Sequence, residues 1–222
     1  MTMQVHSDIG VLQASKKYEG KTCWLVGSGP SLDKVDLSQL RDKTVFAVNA
    51  AITLFTETKF KEAWWIFRDR RIVRQIGNRL DRWKRWRVIT HKAGHLTLKD
   101  VVGHTTKNMV VYLYNKDALI HRRTIIEDAL QVIHMLGFKQ VNMVGIDHAV
   151  VDNRPYAKAL SWKECFFYDP KKPPESGKSV AMGSMVAAME QILPEVQGLK
   201  IVNTSPYYPK PIFEHAEFSD LT

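Results

Sequence analysis

Short apolar runs alternate along the chain with segments of helical periodicity. The runs are rich in Val, Ile, Trp, Tyr and Phe, and they cover residues 23–27, 44–49, 62–67, 86–90, 109–114, 140–145 and 199–203. Nearly continuous apolar character is typical of strands that are covered on both faces. The alternation therefore predicts an α/β fold with a mainly parallel sheet and helices on both faces.

Two of the intervening segments have a clear helical pattern. Residues 122–136 carry an apolar stripe, and Gly137 is placed to end this helix. Residues 178–193 form a second predicted helix, whose methionines we interpret as core residues. The stripe of the first helix consists of Ile125, Ala129, Val132, Ile133 and Leu136.

Two other segments, residues 91–108 and 148–177, have little periodicity. Long irregular segments inside a compact domain usually carry function. The second segment contains Trp162, Phe166, Phe167 and Tyr168, which can dock against the domain, and we interpret it as a lid or active-site loop.

Composition narrows the class of protein. A length of 222 residues suits a single domain spanning 1–222, with 45% apolar and 25% charged residues. No apolar run is long enough to cross a membrane, and no signal peptide is visible. The two cysteines, Cys23 and Cys165, are expected to be reduced thiols of a cytoplasmic protein.

The net charge is +9, and basic residues concentrate in residues 68–88 together with Trp83 and Trp86. We interpret this segment as a solvated helix face with the two Trp side chains in the core. Peripheral contact with an anionic membrane surface is an alternative. Nucleic-acid binding is disfavoured, since no RNP, zinc-finger or helix-turn-helix signature is present.

The first apolar run ends in the turn Gly27-Ser28-Gly29-Pro30-Ser31. A Gly-x-Gly turn between a strand and a helix places backbone N–H groups at an anion-binding position. Pro30 suits the first helical position, and Ser28 or Ser31 can cap the helix or bond a phosphate. A tight, well-capped turn without a ligand is the other interpretation.

A nicotinamide site is disfavoured. Asn49 ends the second run where such sites carry an acidic residue, and Leu32 stands in place of the third glycine. The amide of Asn49 can nevertheless bond a ribose or a base, since it both donates and accepts.

Three ordered motifs carry a family resemblance: "VGSGPSL" at 26–32, "VFAVNAA" at 45–51 and "LGFKQVNMVGIDHA" at 136–149. They resemble the bacterial sialyltransferases of glycosyltransferase family 42. They are equally similar to the related motility accessory factors and archaeal 6-hydroxymethylpterin pyrophosphokinases. The resemblance covers residues 21–205, and it implies a Rossmann-like fold that binds a nucleotide across the strand ends.

The resemblance implies a nucleotide site made of Gly27, Ser28, Gly29, Pro30, Ser31, Asn49, Asp69, Gly145, Ile146 and Asp147. Ser28 stands where the sialyltransferases have Asn, and Asp69 stands where they have a ligand-binding Asn. Tyr156 matches tyrosines that help the leaving phosphate. The family's loop histidine is missing, since none occurs between His148 and His215. His148, Asp147, Tyr156 and Lys178 are therefore the catalytic candidates.

These residues leave three hypotheses. The first is a sialyltransferase-like glycosyltransferase that uses a CMP-sugar or other nucleotide-sugar and a carbohydrate acceptor, without metal or cofactor. The second is a pterin pyrophosphokinase-like diphosphotransferase that needs ATP and Mg²⁺, with Asp69 and Asp147 as metal ligands. The third is a non-enzymatic membrane- or RNA-binding module built on residues 68–88. The sequence leaves the oligomeric state open.

Overall fold

The structure, a computed structural model, describes residues 4–6, 10, 14–55, 60–69, 72–74, 76, 86–90, 109–114, 119, 124–148 and 180–222. Within these ranges nine strands form one sheet: β1 Gln4–His6, β2 Thr22–Val26, β3 Thr44–Val48, β4 Glu62–Ile66, β5 Trp86–Thr90, β6 Met109–Leu113, β7 Gln140–Val144, β8 Lys200–Asn203 and β9 Glu214–His215. Their order is β1-β6-β5-β4-β3-β2-β7-β8-β9, and all neighbours are parallel. The predicted parallel α/β fold is confirmed.

Each predicted run contains one strand, but several strands end one residue early. Asn49 and Gly145 leave the extended region, with φ of +48° and +67°, so they belong to turns. The sequence analysis missed β1 and β9, which have three and two residues and lie at the two edges of the sheet. Elements this short carry no measurable periodicity.

Side chains of successive strand residues point to opposite faces and form two apolar clusters. On one face, Leu25 and Phe46 pack with the helices α1 Ile125–Met135 and α2 Val180–Ile192. On the other face, Trp24 and Val45 pack with 3-10 helices at Leu37–Leu40 and Asn49–Phe55. Helical segments on both faces are therefore confirmed.

Helix α1 begins three residues later than predicted because of a capping box. The Thr124 hydroxyl accepts from the Glu127 N–H at 3.3 Å, and the Glu127 carboxylate accepts from the Thr124 N–H at 2.6 Å. Its predicted stripe is confirmed: Ala129, Val132, Ile133 and Leu136 are buried and Ile125 packs against them.

The order of the strands reverses at β2. From β2 the chain proceeds through β3, β4, β5 and β6 on one side, and then returns to β7 on the other side of β2. The 3-10 helices that follow β2 cover one face, and α2, which follows β7, covers the opposite face. In parallel sheets such a reversal opens a ligand crevice at the carboxyl ends of the two strands. The turns at 27–31 and 145–147 both lie there.

Several predictions fall on residues outside the described ranges. These are the lid at 148–177 except for His148, the catalytic candidates Tyr156 and Lys178, Cys165, and most of the basic segment. The single-domain assignment also stays a prediction. Cys23 is a buried free thiol in β2 whose pKa is raised well above its ordinary value by burial. None of the helices in the described part of the chain could span a membrane.

Candidate functional site

The turns after β2 and β7 are fastened together by four hydrogen bonds. The N–H of Gly27 donates to the Val144 carbonyl at 2.8 Å, and that of Gly29 donates to the Gly145 carbonyl at 2.7 Å. The Asp147 carboxylate accepts the Ser31 N–H at 2.7 Å and the Ser31 hydroxyl at 2.5 Å. Only 2% of Asp147 and 3% of Ser31 is exposed. The two turns therefore form one buried unit, called here the joined turns (residues 27–31 and 145–147).

Two glycines allow this close contact. A Cβ on Gly27 would meet the Gly145 carbonyl oxygen and lie 2.8 Å from Ile146 Cγ1. A Cβ on Gly29 would lie 2.5 Å from Asp147 Oδ2. Gly29 itself has an ordinary φ of −73°, so space rather than an unusual dihedral requires glycine there.

Most backbone N–H groups of the turn at 27–31 already have partners inside the protein, so few of them remain available to a phosphate. Gly27, Gly29 and Ser31 use their N–H groups inside the protein, and Pro30 has none. Gly29 is the N-cap residue of the 3-10 helix Pro30–Lys34, and no serine side chain caps this helix. The Asp147 carboxylate instead accepts the Ser31 N–H in its first turn. In the part of the loop that the structure describes, Ser28 alone keeps a partly exposed N–H and hydroxyl without a protein partner.

Asn49 lies at the carboxyl end of β3, next to β2. It adopts the left-handed region, which asparagine tolerates better than most residues. Only 9% of the residue is exposed, and its Oδ1 has no hydrogen-bond partner among the residues described. Leaving a buried acceptor unpaired costs about 1–3 kcal/mol. A buried acceptor of this kind calls for a partner outside the described residues, such as a water, an ion or a ligand. Among the described residues, the atoms Trp64 Nε1, Arg87 Nη1 and Glu127 Oε1 are buried without a hydrogen bond as well.

His148 follows the joined turns directly, also in the left-handed region, with φ of +46°. Its Nδ1 lies 3.3 Å from the hydroxyl oxygen of Tyr208. Burial lowers the pKa of His148 to about 4, so the imidazole is neutral at neutral pH. A general base works best with a pKa near the working pH, so this environment makes His148 a weak one. Its predicted catalytic role stays a prediction.

The segment after β8, residues 204–213, borders the same edge of the sheet. Asn203 donates to the Ile146 carbonyl at 3.3 Å and accepts the Ser205 N–H at 3.1 Å, so it supports the joined turns from below. The Lys34 ammonium lies 4.8 Å from the Tyr207 ring centroid. The sequence pattern places Asn203 at a strand end on the ligand side, but it does not single out Tyr207 or Tyr208. The visible signal of this segment is a pair of tyrosines between Pro206 and Pro209, directly after a strand.

A second polar cluster lies beyond the ends of β4 and β6. Arg68 Nη1 is 3.4 Å from both carboxylate oxygens of Asp128, and Tyr114 donates to that carboxylate at 3.0 Å. Asp128 is fully buried, and burial, followed by its charge, raises the pKa of Tyr114. The first arginine of the basic segment is therefore part of an inward ion pair. The neighbouring Asp69 is partly exposed, and its carbonyl accepts the Ile72 N–H at 3.1 Å.

The parallel sheet, the reversal of strand order and the glycine turn at that reversal define a Rossmann-like α/β protein. No protein-family model and no curated protein sequence matches the chain. Among solved structures its fold is similar to that of the MAf glycosyltransferase from Magnetospirillum magneticum AMB-1, with a TM-score of 0.64 and 12% sequence identity. The similarity covers 100% of this chain and 36% of that one.

At 12% identity the similarity shows the fold alone. It agrees with the motility accessory factor branch of the predicted resemblance, and it gives no support to the sialyltransferase branch in particular. This chain spans about a third of the length of that protein, since 36% of it is covered.

Proposed function

We propose that the chain is a nucleotide-sugar-dependent glycosyltransferase that transfers a sugar from a donor such as a CMP-sugar to a carbohydrate acceptor, in the manner of the sialyltransferases. The observation that carries the proposal is the buried oxygen of Asn49, which has no partner among the described residues and lies one strand away from Ser28. The similar fold of a protein named as a glycosyltransferase supports it.

The residues of the crevice suit the parts of such a donor. Asn49 Oδ1 would accept a hydrogen bond from a ribose hydroxyl or a base amino group. The N–H and hydroxyl of Ser28 would donate to a phosphate oxygen. Asp147 would act indirectly, because its two oxygens already hold Ser31. Tyr156 and Lys178 remain the expected donors at the leaving phosphate, and no metal or cofactor is assigned a role.

The diphosphotransferase hypothesis makes a different demand on Asp147, which would have to bind Mg²⁺. Both carboxylate oxygens of Asp147 accept hydrogen bonds from a buried serine, so metal binding would have to compete with those bonds. The glycosyltransferase hypothesis leaves them intact, and for this reason we favour it.

Calorimetric titration separates the two hypotheses. The proposal predicts that CMP or a CMP-sugar binds without Mg²⁺, and that ATP binds no more tightly when Mg²⁺ is added. ATP binding that requires Mg²⁺, with no binding of CMP, would instead support the diphosphotransferase.

Activity is tested with a panel of nucleotide-sugars, by measuring hydrolysis of the donor with and without carbohydrate acceptors. The proposal expects slow release of the nucleotide from one donor and faster release when an acceptor is added. If no donor in the panel is bound or hydrolysed, the proposal fails.

Sedimentation with anionic vesicles at low and high salt tests separately whether residues 68–88 contact membranes.

A further inference from the structure

His148 and Tyr208 form a contact between two strand ends that are 60 residues apart in sequence. The Nδ1 of His148 and the hydroxyl oxygen of Tyr208 are 3.3 Å apart, and the ring centroids are 5.4 Å apart at an angle of 46°. Phe213 also contacts the tyrosine ring, with centroids 5.3 Å apart at an angle of 62°. The tyrosine ring therefore packs with a histidine and a phenylalanine, and its hydroxyl meets one defined ring nitrogen.

Both groups are neutral at neutral pH. Burial lowers the pKa of His148, and burial together with the charge of Glu190 raises the pKa of Tyr208. A neutral imidazole has one N–H and one lone pair, so the contact can form in two ways. Either the phenol donates to Nδ1, or an Nδ1–H donates to the phenol oxygen.

The first arrangement pairs the better donor with the better acceptor. A phenol is a good donor and an imidazole lone pair is a good acceptor, whereas a phenol oxygen is a weak acceptor. Each arrangement leaves two polar groups without a partner in the described part of the structure: the Tyr208 proton and the Nε2 lone pair if Nδ1–H donates, or the phenol oxygen and the Nε2–H if the phenol donates. The strength of the shared hydrogen bond therefore favours the phenol as donor.

We propose that Tyr208 donates to Nδ1 of His148 and so fixes the imidazole as the Nε2–H tautomer, which makes His148 a hydrogen-bond donor to an anionic oxygen of the ligand rather than a general base. The assignment of the tautomer rests only on the contact between His148 Nδ1 and the Tyr208 hydroxyl. The role toward a ligand rests on the proposed function, whose nucleotide phosphates would supply the oxygen.

The position of His148 fits a donor of this kind. It follows Asp147, which is held by Ser31, and it keeps a left-handed backbone that a non-glycine residue adopts only where its surroundings hold it there. The side chain is therefore presented from a fixed point at the rim of the crevice. Deprotonation of an acceptor hydroxyl would then fall to another residue.

Nitrogen-15 NMR of the histidine rings in the full chain tests the tautomer without any ligand. The protonated and unprotonated ring nitrogens have well-separated shifts, and the H148Q variant identifies which of the eight histidines is His148. Wild type is expected to show an unprotonated Nδ1 and a protonated Nε2. The Y208F variant, which keeps the ring, is expected to show a mixture of tautomers.

The matched control is Y207F, since the Tyr207 hydroxyl has no hydrogen-bond partner among the described residues and its ring stays on Lys34. This variant should keep the wild-type pattern. A protonated Nδ1 in wild type, or an unchanged tautomer in Y208F, would overturn the proposal.

The ligand role is tested by titrating a CMP-sugar into wild type, H148A and Y208F. Loss of one hydrogen bond to an anionic oxygen predicts that the Kd rises about tenfold in H148A, which has no side-chain donor, and less in Y208F. An unchanged Kd in H148A would overturn the ligand role. If wild type binds no nucleotide, the proposed function and the ligand role fail together, whereas the tautomer measurement still decides what Tyr208 does.

Discussion

Replacing Asp147 by alanine removes both acceptors that hold Ser31 in the joined turns. Hydrogen bonds to charged groups contribute about 1.5–3 kcal/mol each, and alanine leaves the Ser31 N–H buried without a partner. Since the two bonds share one residue, their contributions overlap. We expect D147A to lower the free energy of unfolding by about 3–5 kcal/mol, a large share of the 5–15 kcal/mol typical of a folded domain.

Two milder variants, D147N and S31A, show how much each hydrogen bond contributes to this loss of stability. In D147N the remaining oxygen still accepts the Ser31 N–H, and the new amide can donate to the Ser31 hydroxyl oxygen, so a loss of about 1–2 kcal/mol is expected. S31A removes only the hydroxyl and should cost about 1–3 kcal/mol. The double variant S31A/D147A should be scarcely less stable than D147A, because the hydroxyl has no acceptor once Asp147 is gone.

The assay is urea unfolding followed by the fluorescence of the six tryptophans. Asp36 supplies a matched control, since it accepts from the N–H and hydroxyl of Ser38 at 2.9 and 2.8 Å but lies at the surface. Because water replaces exposed hydrogen bonds, D36A should cost far less than D147A. Equal losses in the two variants would refute the claim that the buried carboxylate joins the turns.

Two further perturbations test the surroundings of the site. G29A should lower the free energy of unfolding by about 1–3 kcal/mol through overlap with Asp147, whereas G198A, where only the positive φ matters, should cost about 1 kcal/mol in the same urea assay. The folded pKa of His148, about 4, lies below its ordinary value of 6.5, so the unfolded chain binds a proton first as pH falls. The contribution of His148 to the free energy of unfolding should therefore fall by up to about 3 kcal/mol between pH 6.5 and 4. The H148Q variant should lack this part of the decline in stability.

The sequence was sufficient to predict seven of the nine strands that the structure describes, and the parallel sheet that they form. Apolar runs such as residues 86–90 match their strands because buried parallel strands have little else in them. The motifs at 27–31 and 145–147 were also expected to lie at one edge of the sheet, and they do. Element ends were less accurate, since a single cap at Thr124 decides where α1 begins.

The contacts within the site could not be predicted. Asp147 meets Ser31 across 116 residues, and Tyr208 meets His148 across 60. No local pattern states which carboxylate fills a helix start, so the loop was expected to keep its amides for a phosphate. Tyr208 follows a strand in a proline-bracketed loop, where an aromatic residue is usually only packed or exposed.

The central claim is that the crevice beside β2 and β3 binds a nucleotide through Asn49. The most direct measurement is calorimetric titration of a CMP-sugar into wild type and N49G, with urea unfolding of both. Glycine keeps the left-handed backbone and removes an oxygen that has no partner in the described part of the chain, so stability should change by no more than about 1 kcal/mol. The account predicts that wild type binds without metal and that the Kd rises at least about tenfold in N49G. Equal affinity in the two proteins, or no binding by either, would contradict it.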